Sequence, residues 1–374
     1  MTSPPTVVCI SSQQFQTDML VLQSGVRDFD WRPLKDLLLI EAQAPWMPKS
    51  MQQQTVYAYE SGPEVEAIWE QARKVGVQFL DGIIKEHRVT AVLAGNWDYW
   101  QDEAIRLACE AKGIPFLTLL REHFLTAHNY EGGFAYQGYK LTPKTAGVAV
   151  AGEISRKTLT KFGIIPYERI RVTGLPRFDL WYTPRPPLFE RPVVLLSYLK
   201  GYGAERQFYD MLRLIAEMAE RHPTVPFVIK PKHSAEEPGL RRLVSAMSER
   251  VQVVLTSDMP RLLAGARAII GYSSLSLYEG LFTDAPIFLP QWGETNRPAR
   301  LQAPSPDDPL LKDHMTFFES QDDFKVALEK AIAGRIAVSD RKYRRETFAK
   351  YVCFSEDEPA SFRVRDFVRE FSSG

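Results

Sequence analysis

Short apolar runs recur along the chain, separated by stretches whose apolar residues return at helical spacing. Thr6–Ser11 (TVVCIS), Ala91–Ala94, Pro115–Leu120, Val148–Ala151 and Ile170–Thr173 read as buried strands, with amphipathic helices over about 63–86, 102–111 and 154–162. A further apolar stretch, Leu37–Ile40, lies between the first strand and the first long helix. The pattern resumes with strands at Val193–Ser197, Phe227–Lys230, Val251–Leu255 and Ala268–Ile270, and with helices near 205–220, 240–248, 259–264 and 322–333. Strands that alternate with helices in this way build a mainly parallel sheet covered by helices on both faces, an α/β architecture.

The alternation breaks once, between Gly174 and Pro192, where GLPRFDLWYTPRPPLFERP carries five prolines and no clear period. Proline continues neither a helix nor a central strand, so the stretch reads as an extended linker. At 374 residues the chain has room for two cores. The expected division is a first Rossmann-like domain over 1–175, a linker over 176–192, a second Rossmann-like domain over 193–335 and a charged, aromatic, helical tail over 336–374 that crosses back to the first domain.

Lys+Arg and Asp+Glu both number 46, so no field of one sign covers the molecule and bulk nucleic-acid binding is disfavoured. The three cysteines, Cys9, Cys109 and Cys353, are too widely spaced for a disulfide framework or a zinc site and suit a reducing compartment. The N-terminus lacks a signal-peptide pattern, and no apolar run is long enough to span a bilayer. The expectation is a cytoplasmic protein whose membrane contact, if any, is peripheral at the inner face.

The stretch from Ala268 to Pro290, AIIGYSSLSLYEGLFTDAPIFLP, carries the clearest chemistry. It reads as strand, tight turn, helix start, helix and second strand. Tyr272, Ser273 and Ser274 sit in the turn, where backbone N–H groups, hydroxyls and the helix dipole together attract an anion, phosphate being the obvious guest. Glu279 follows on a face suited to a sugar hydroxyl. The plainer alternative is an ordinary strand-to-helix turn with a serine N-cap.

In open parallel sheets ligands bind beyond the carboxyl ends of the strands, and two such domains facing each other would form one central cleft. Lys230, Lys232 and His233 directly follow the strand FVIK and suit a phosphate or a sugar-acid carboxylate, or else form a solvated basic turn. Asp98 lies in the aromatic loop GNWDYW, and Glu122 stands between Arg121 and His123. Each carboxylate is a candidate general base for a sugar hydroxyl. A dinucleotide fingerprint and a Walker A loop are both missing from the sequence.

Taken together these residues resemble a family. The second half is similar to the donor domain of GT-B glycosyltransferases that build bacterial surface polysaccharides, particularly those using CMP-linked acidic sugars such as sialic acid or Kdo. Such enzymes place a histidine after one strand and a Ser-Ser pair after a later one, here His233 and Ser273–Ser274, although Ser234 stands where proline is usual. In the first half, NWDYWQDEAIRLACEAKGIPFLTLLREH resembles the corresponding pattern of capsule-type transferases, and VTGLPRFD resembles their "GxPRxD" segment.

The resemblance implies a metal-independent transferase with no cofactor beyond a nucleotide-sugar co-substrate, CMP-linked by preference, and a glycan or lipid-linked glycan acceptor. Ser273, Ser274, His233 and Lys232, with Lys230 and Tyr272 beside them, would hold the nucleotide phosphate. Glu279 would lie near the ribose, and Glu122, Asp98 and His123 would supply acid/base chemistry. The alternatives in the same fold are a CDP-polyol phosphotransferase of the teichoic-acid type and a non-catalytic nucleotide- or glycan-binding module.

Overall fold

The computed structural model describes residues 4–11, 15–53, 62–97, 99–120, 144–196, 205–232, 234–272, 274–292 and 304–372. These residues form two compact units. Unit 1 holds the described residues up to Tyr182 and from Tyr351 onward, and unit 2 those from Thr183 to Lys350.

Unit 1 is built on six parallel strands, β1 (Thr6–Ser11), β2 (Asp30–Lys35), β3 (Val89–Ala94), β4 (Phe116–Leu120), β5 (Gly147–Val150) and β6 (Ile170–Val172), in the order β2-β1-β3-β4-β5-β6. The central strands are apolar along their whole length because helices cover both faces, and Val8, Ile10, Val92 and Ala94 share one core with Leu80, Ile105 and Phe116. The helices are α1 (Gln16–Gly25), α2 (Asp36–Gln43), α3 (Pro63–Ile84), α4 (Trp100–Lys112) and α5 (Glu153–Lys161). Leu37–Ile40 proves to be part of α2, and the strand that precedes it, β2, has no legible apolar alternation. It is an edge strand carrying Arg32, Pro33 and Lys35, residues that discourage pairing with another chain.

Unit 2 has its own six parallel strands, β7 (Val193–Leu196), β8 (Phe227–Lys230), β9 (Val251–Val253), β10 (Ala268–Ile270), β11 (Ile287–Pro290) and β12 (Met315–Phe318). Their order, β12-β11-β10-β7-β8-β9, is that of the doubly wound dinucleotide-binding sheet. Its helices are α6 (Glu205–Arg221), α7 (Glu237–Ser245), α8 (Met259–Leu263), α9 (Leu275–Glu279), α10 (Gln321–Ile332) and α11 (Arg341–Tyr351). Phe288, Phe318 and Phe324 meet edge to face at 5.2–5.9 Å at the centre of its core. The last helix, α12 (Ala360–Ser372), returns to unit 1 and buries Val364, Phe367 and Val368 there.

The proline-rich stretch is extended only in part. Pro176–Trp181 forms a 3₁₀ helix in unit 1, held by polar contacts that hydrophobic periodicity does not register. Arg177 grips the fully buried Asp18 of α1, with its backbone N–H at 2.9 Å and Nε at 3.0 Å. Asp179 accepts the N–H groups of Ala360 and Ser361 (2.8 and 2.9 Å), satisfying donors at the start of α12 that lack helical partners. Burial raises the Asp179 pKa, and the bonds from Ser361 and Ala360 oppose that rise. Gly174, at φ +74°, allows the chain to pass so close to Cys353 that a Cβ would lie 2.2 Å from its carbonyl oxygen.

Replacing Asp18 by alanine strands the Arg177 guanidinium against a buried site. The expected loss of stability is about 3 kcal/mol, as for removing one partner of a buried ion pair, and urea unfolding followed by circular dichroism measures it.

Candidate functional site

The order of unit 2's sheet reverses direction between β7 and β10, and a crevice for ligands opens at the carboxyl ends of two such strands. The turn that leaves β10 begins at Gly271, whose N–H donates to the Phe288 carbonyl (3.1 Å). A Cβ at Gly271 would stand 3.0 Å from Leu277 Cδ2 and 3.3 Å from Leu196 Cβ, so glycine lets α9 press against β7. Tyr272 is buried.

Ser274 is the N-cap of α9. Its backbone is extended (φ −86°, ψ 139°), and its Oγ accepts the N–H of Ser276 at 3.2 Å. The helix it caps is shorter than the sequence pattern implies, since a 3₁₀ turn over Gly280–Phe282 takes over after Glu279. Glu279 is buried, with 4% of its surface exposed.

Behind this turn lies Arg344 of α11, fully buried, donating to the carbonyls of Ala285 (2.9 Å) and Gly280 (3.0 Å). Burial lowers its pKa to about 10. Phe348 stands edge-on to Phe282 at 4.4 Å, and Arg341 pairs with Asp284. His314 secures the same helix, its Nδ1 at 2.6 Å from Ser339 Oγ and its Nε2 at 2.8 Å from Thr347 Oγ1.

Along the same edge of the sheet, Lys230 ends β8 half-buried, its Nζ donating to the Pro231 carbonyl at 3.2 Å, and Lys232 is exposed. Two residues that the sequence reading passed over also belong here. Gln207 of α6, 2% exposed, donates through Nε2 to the carbonyl of Pro290 (3.1 Å), and among the described residues its Oε1 has no partner. Trp292, 7% exposed, stacks edge-on to Phe324 at 5.3 Å, and among the described residues its indole N–H has no partner. Buried polar atoms are almost always paired in native proteins, so an unfilled acceptor and donor flanking β11 suit a ligand. Neither has a sequence signature, because glutamine and tryptophan are equally ordinary in a core.

In unit 1 the reversal falls between β1 and β3. Beyond β3, Asn96 is buried and its Oδ1 accepts the Trp97 N–H at 2.7 Å, and the Trp97 ring is packed inside. The first turn of α4 then brings two further buried carboxylates, Asp102 and Glu103. Glu103 holds Arg106 through two bonds of 2.6 Å.

Of the residues singled out from sequence, Tyr272 and Ser274 follow β10 and Lys230 and Lys232 lie at the end of β8, the two strands that flank β7, while Glu279 ends α9. Ser273, His233, Asp98, Glu122 and His123 lie outside the described residues. Arg177 and Asp179 of the VTGLPRFD segment brace unit 1, the first through Asp18 of α1 and the second through the start of α12. His222 pairs with Glu329 of α10 at 2.7 Å.

No protein-family model and no curated protein sequence matches the chain. Solved structures do. UDP-N-acetylglucosamine 2-epimerase from Rickettsia bellii superposes with a TM-score of 0.56 at 10% identity, covering 100% of this chain and 97% of that one. The chain has the GT-B fold. UDP-GlcNAc 2-epimerase from Neisseria meningitidis bound to UDP-GlcNAc aligns at 0.54 with 13% identity over 98% of this chain and 100% of its own. Arabidopsis thaliana UGT89C1 complexed with UDP-L-rhamnose aligns at 0.54 with 12% identity, covering 99% and 100%. Among the described residues no helix is long and apolar enough to cross a membrane.

Burial and the charge of Arg344 lower the pKa of His314, with Asp313 acting in the other direction and Lys350 in the same one. A histidine whose folded pKa lies below its unfolded value of about 6.5 contributes fully above pH 6.5 and loses that contribution as pH falls toward the folded value. The melting temperature is therefore expected to decline below about pH 6.5. His314→Gln should be less stable at pH 8 and show a flatter decline, as differential scanning calorimetry across pH 5–8 checks.

Proposed function

We propose that the chain is a nucleotide-sugar enzyme that transfers a glycosyl group, with the nucleotide carried on unit 2. One observation above all supports this reading: in a sheet of dinucleotide-binding order, the serine turn Gly271–Ser274 leaves a strand at the point where strand order reverses. In this reading the hydroxyl of Ser274 donates to a phosphate oxygen while its lone pair caps α9, and Lys232 and Lys230 supply positive charge. Ser273 and His233 complete the phosphate contact, Tyr272 lines the turn, and Glu279 accepts from the ribose. Asp98, Glu122 and His123 are assigned the acid/base role, and the acceptor is a glycan.

A CMP-linked donor follows from the sequence resemblance, whereas UDP-sugars are what the fold neighbours hold. Both are pyrimidine nucleotides, and we place UDP ahead of CMP. The neighbours also favour a second reading, epimerisation of a UDP-sugar, since two of the structures aligned over nearly the whole chain are UDP-GlcNAc 2-epimerases.

A thermal-shift screen with UDP, CMP, CDP, GDP and their sugars tests the donor. A ligand at a hundred times its Kd adds about 2.7 kcal/mol of apparent stability, and a shift with UDP or CMP that Ser274→Ala combined with Lys232→Gln abolishes is the expected result. No shift with any nucleotide overturns the reading. Incubation with UDP-GlcNAc alone, followed by proton NMR, separates the two chemistries: a C2 epimer formed without acceptor assigns epimerisation, and an acceptor-dependent release of nucleotide assigns transfer.

A further inference from the structure

A cleft of about 600 Å³ opens within unit 1 at the N-terminal ends of β1, β2 and β3, the opposite end of the sheet from its switch point. That volume is in the range of small-molecule sites. Val26, Phe29 and Trp31 supply its apolar part, the last two meeting edge to face at 5.5 Å. The walls are fixed by their own hydrogen bonds. Trp31 Nε1 donates to the Val26 carbonyl (3.2 Å), Gln23 Nε2 to the Trp31 carbonyl (2.9 Å), and the Thr6 N–H to the Arg88 carbonyl (2.7 Å).

The charges around the cleft are unequally matched. Asp30 is paired with Arg32 at 2.6 Å and Asp28 with Arg365 and Arg369 at 3.5 Å each, whereas Glu86, exposed at the rim, has only the His87 imidazole at 3.9 Å, which balances its charge only when protonated. Arg27 and Arg88 also line the cleft, and among the described residues neither has a carboxylate within ion-pair distance. Two exposed arginines beside the edges of largely buried apolar side chains suit an anion of charge near −2 with several acceptor oxygens and a small apolar body. A phosphate monoester has that charge and three such oxygens.

We propose that this cleft binds a small organic phosphate, its phosphate gripped by Arg27 and Arg88 and its apolar part laid against Val26, Phe29 and Trp31. The site shares no residue with the serine turn of unit 2 and stands independently of the nucleotide reading. Because the rim is built from the loop between α1 and β2 and the loop between α3 and β3, a bound ligand would tie these two connections together.

Isothermal titration of the full chain with phenyl phosphate, and with inorganic phosphate for comparison, tests it. The expected result is tighter binding of phenyl phosphate than of inorganic phosphate. The double variant Arg27→Gln/Arg88→Gln, both positions exposed and so without cost to the fold, should weaken binding about tenfold or more. Ser274→Ala/Lys232→Gln should leave it unchanged. Amide hydrogen exchange should slow over 26–32 and 86–89 on addition of phenyl phosphate. Equal binding by the arginine double variant, loss of binding in the Ser274/Lys232 variant instead, or no binding of phenyl phosphate at all would each overturn the proposal.

Discussion

The interaction on which unit 1 most depends is the capture of its last helix by a segment about 180 residues earlier in the chain, Asp179 to the N–H groups of Ala360 and Ser361. Without it α12 would begin with unpaired donors on two buried residues, and the apolar face of Val364, Phe367 and Val368 would have no fixed approach to the sheet. The neighbouring contacts all serve the same junction. Tyr182 bonds the backbone of Ser355 through its hydroxyl and stacks on Phe354 at 4.5 Å, and Arg363 donates to the carbonyls of Thr173 and Cys353. The two places where the chain leaves and re-enters unit 1 are thus stitched to each other. Closing so long a loop costs conformational entropy that grows slowly with length, so a handful of buried hydrogen bonds plus one apolar face suffices to offset it.

Unit 2 uses a different device for a similar end. Among the described residues Arg344 has no carboxylate within ion-pair distance, although the charge of Asp284 acts on it; its guanidinium lies on the carbonyls of Gly280 and Ala285, which flank the turn after α9. Burying an arginine this way is costly, as the fall of its pKa to about 10 reflects, and its two hydrogen bonds to the Ala285 and Gly280 carbonyls offset part of that cost. The consequence is that α9 and the turn after it are held from two sides, by packing of Gly271 and Leu277 against Leu196 of β7 and by α11 behind. A phosphate-binding turn gains affinity when it is fixed before the ligand arrives.

These two devices mark the limit of what the sequence discloses. The strands at Thr6–Ser11, Phe227–Lys230 and Ala268–Ile270 were legible to the residue, because strands covered on both faces must be apolar throughout. The helix starting at Pro63 was legible from its period. The edge strand β2 was not, since DWRPLK lacks apolar alternation and even contains a proline, and neither was β12, whose four residues are too short a run to stand out. Nor was the 3₁₀ helix over Pro176–Trp181, whose order comes from Asp18 and from the start of α12, both remote in sequence. The serine turn was recognised by its local pattern. Gln207 and Trp292 were not, because an unpartnered amide oxygen or indole N–H exists only once a core has formed around it.

Ser274 shows why a plain and a functional reading of one residue need not compete. A serine hydroxyl has one proton and two lone pairs. In this structure one lone pair takes the Ser276 N–H and caps α9, which is the ordinary reading of a strand-to-helix turn. That bond engages the oxygen as an acceptor and leaves the proton to donate, and it also fixes the side chain in the rotamer from which it donates. An exposed serine would have to lose rotamer freedom on meeting a phosphate, whereas a capping serine has already lost it to the helix. In the proposed reading the cap is the arrangement that makes a phosphate contact inexpensive, and removing the hydroxyl would remove the cap and that contact together.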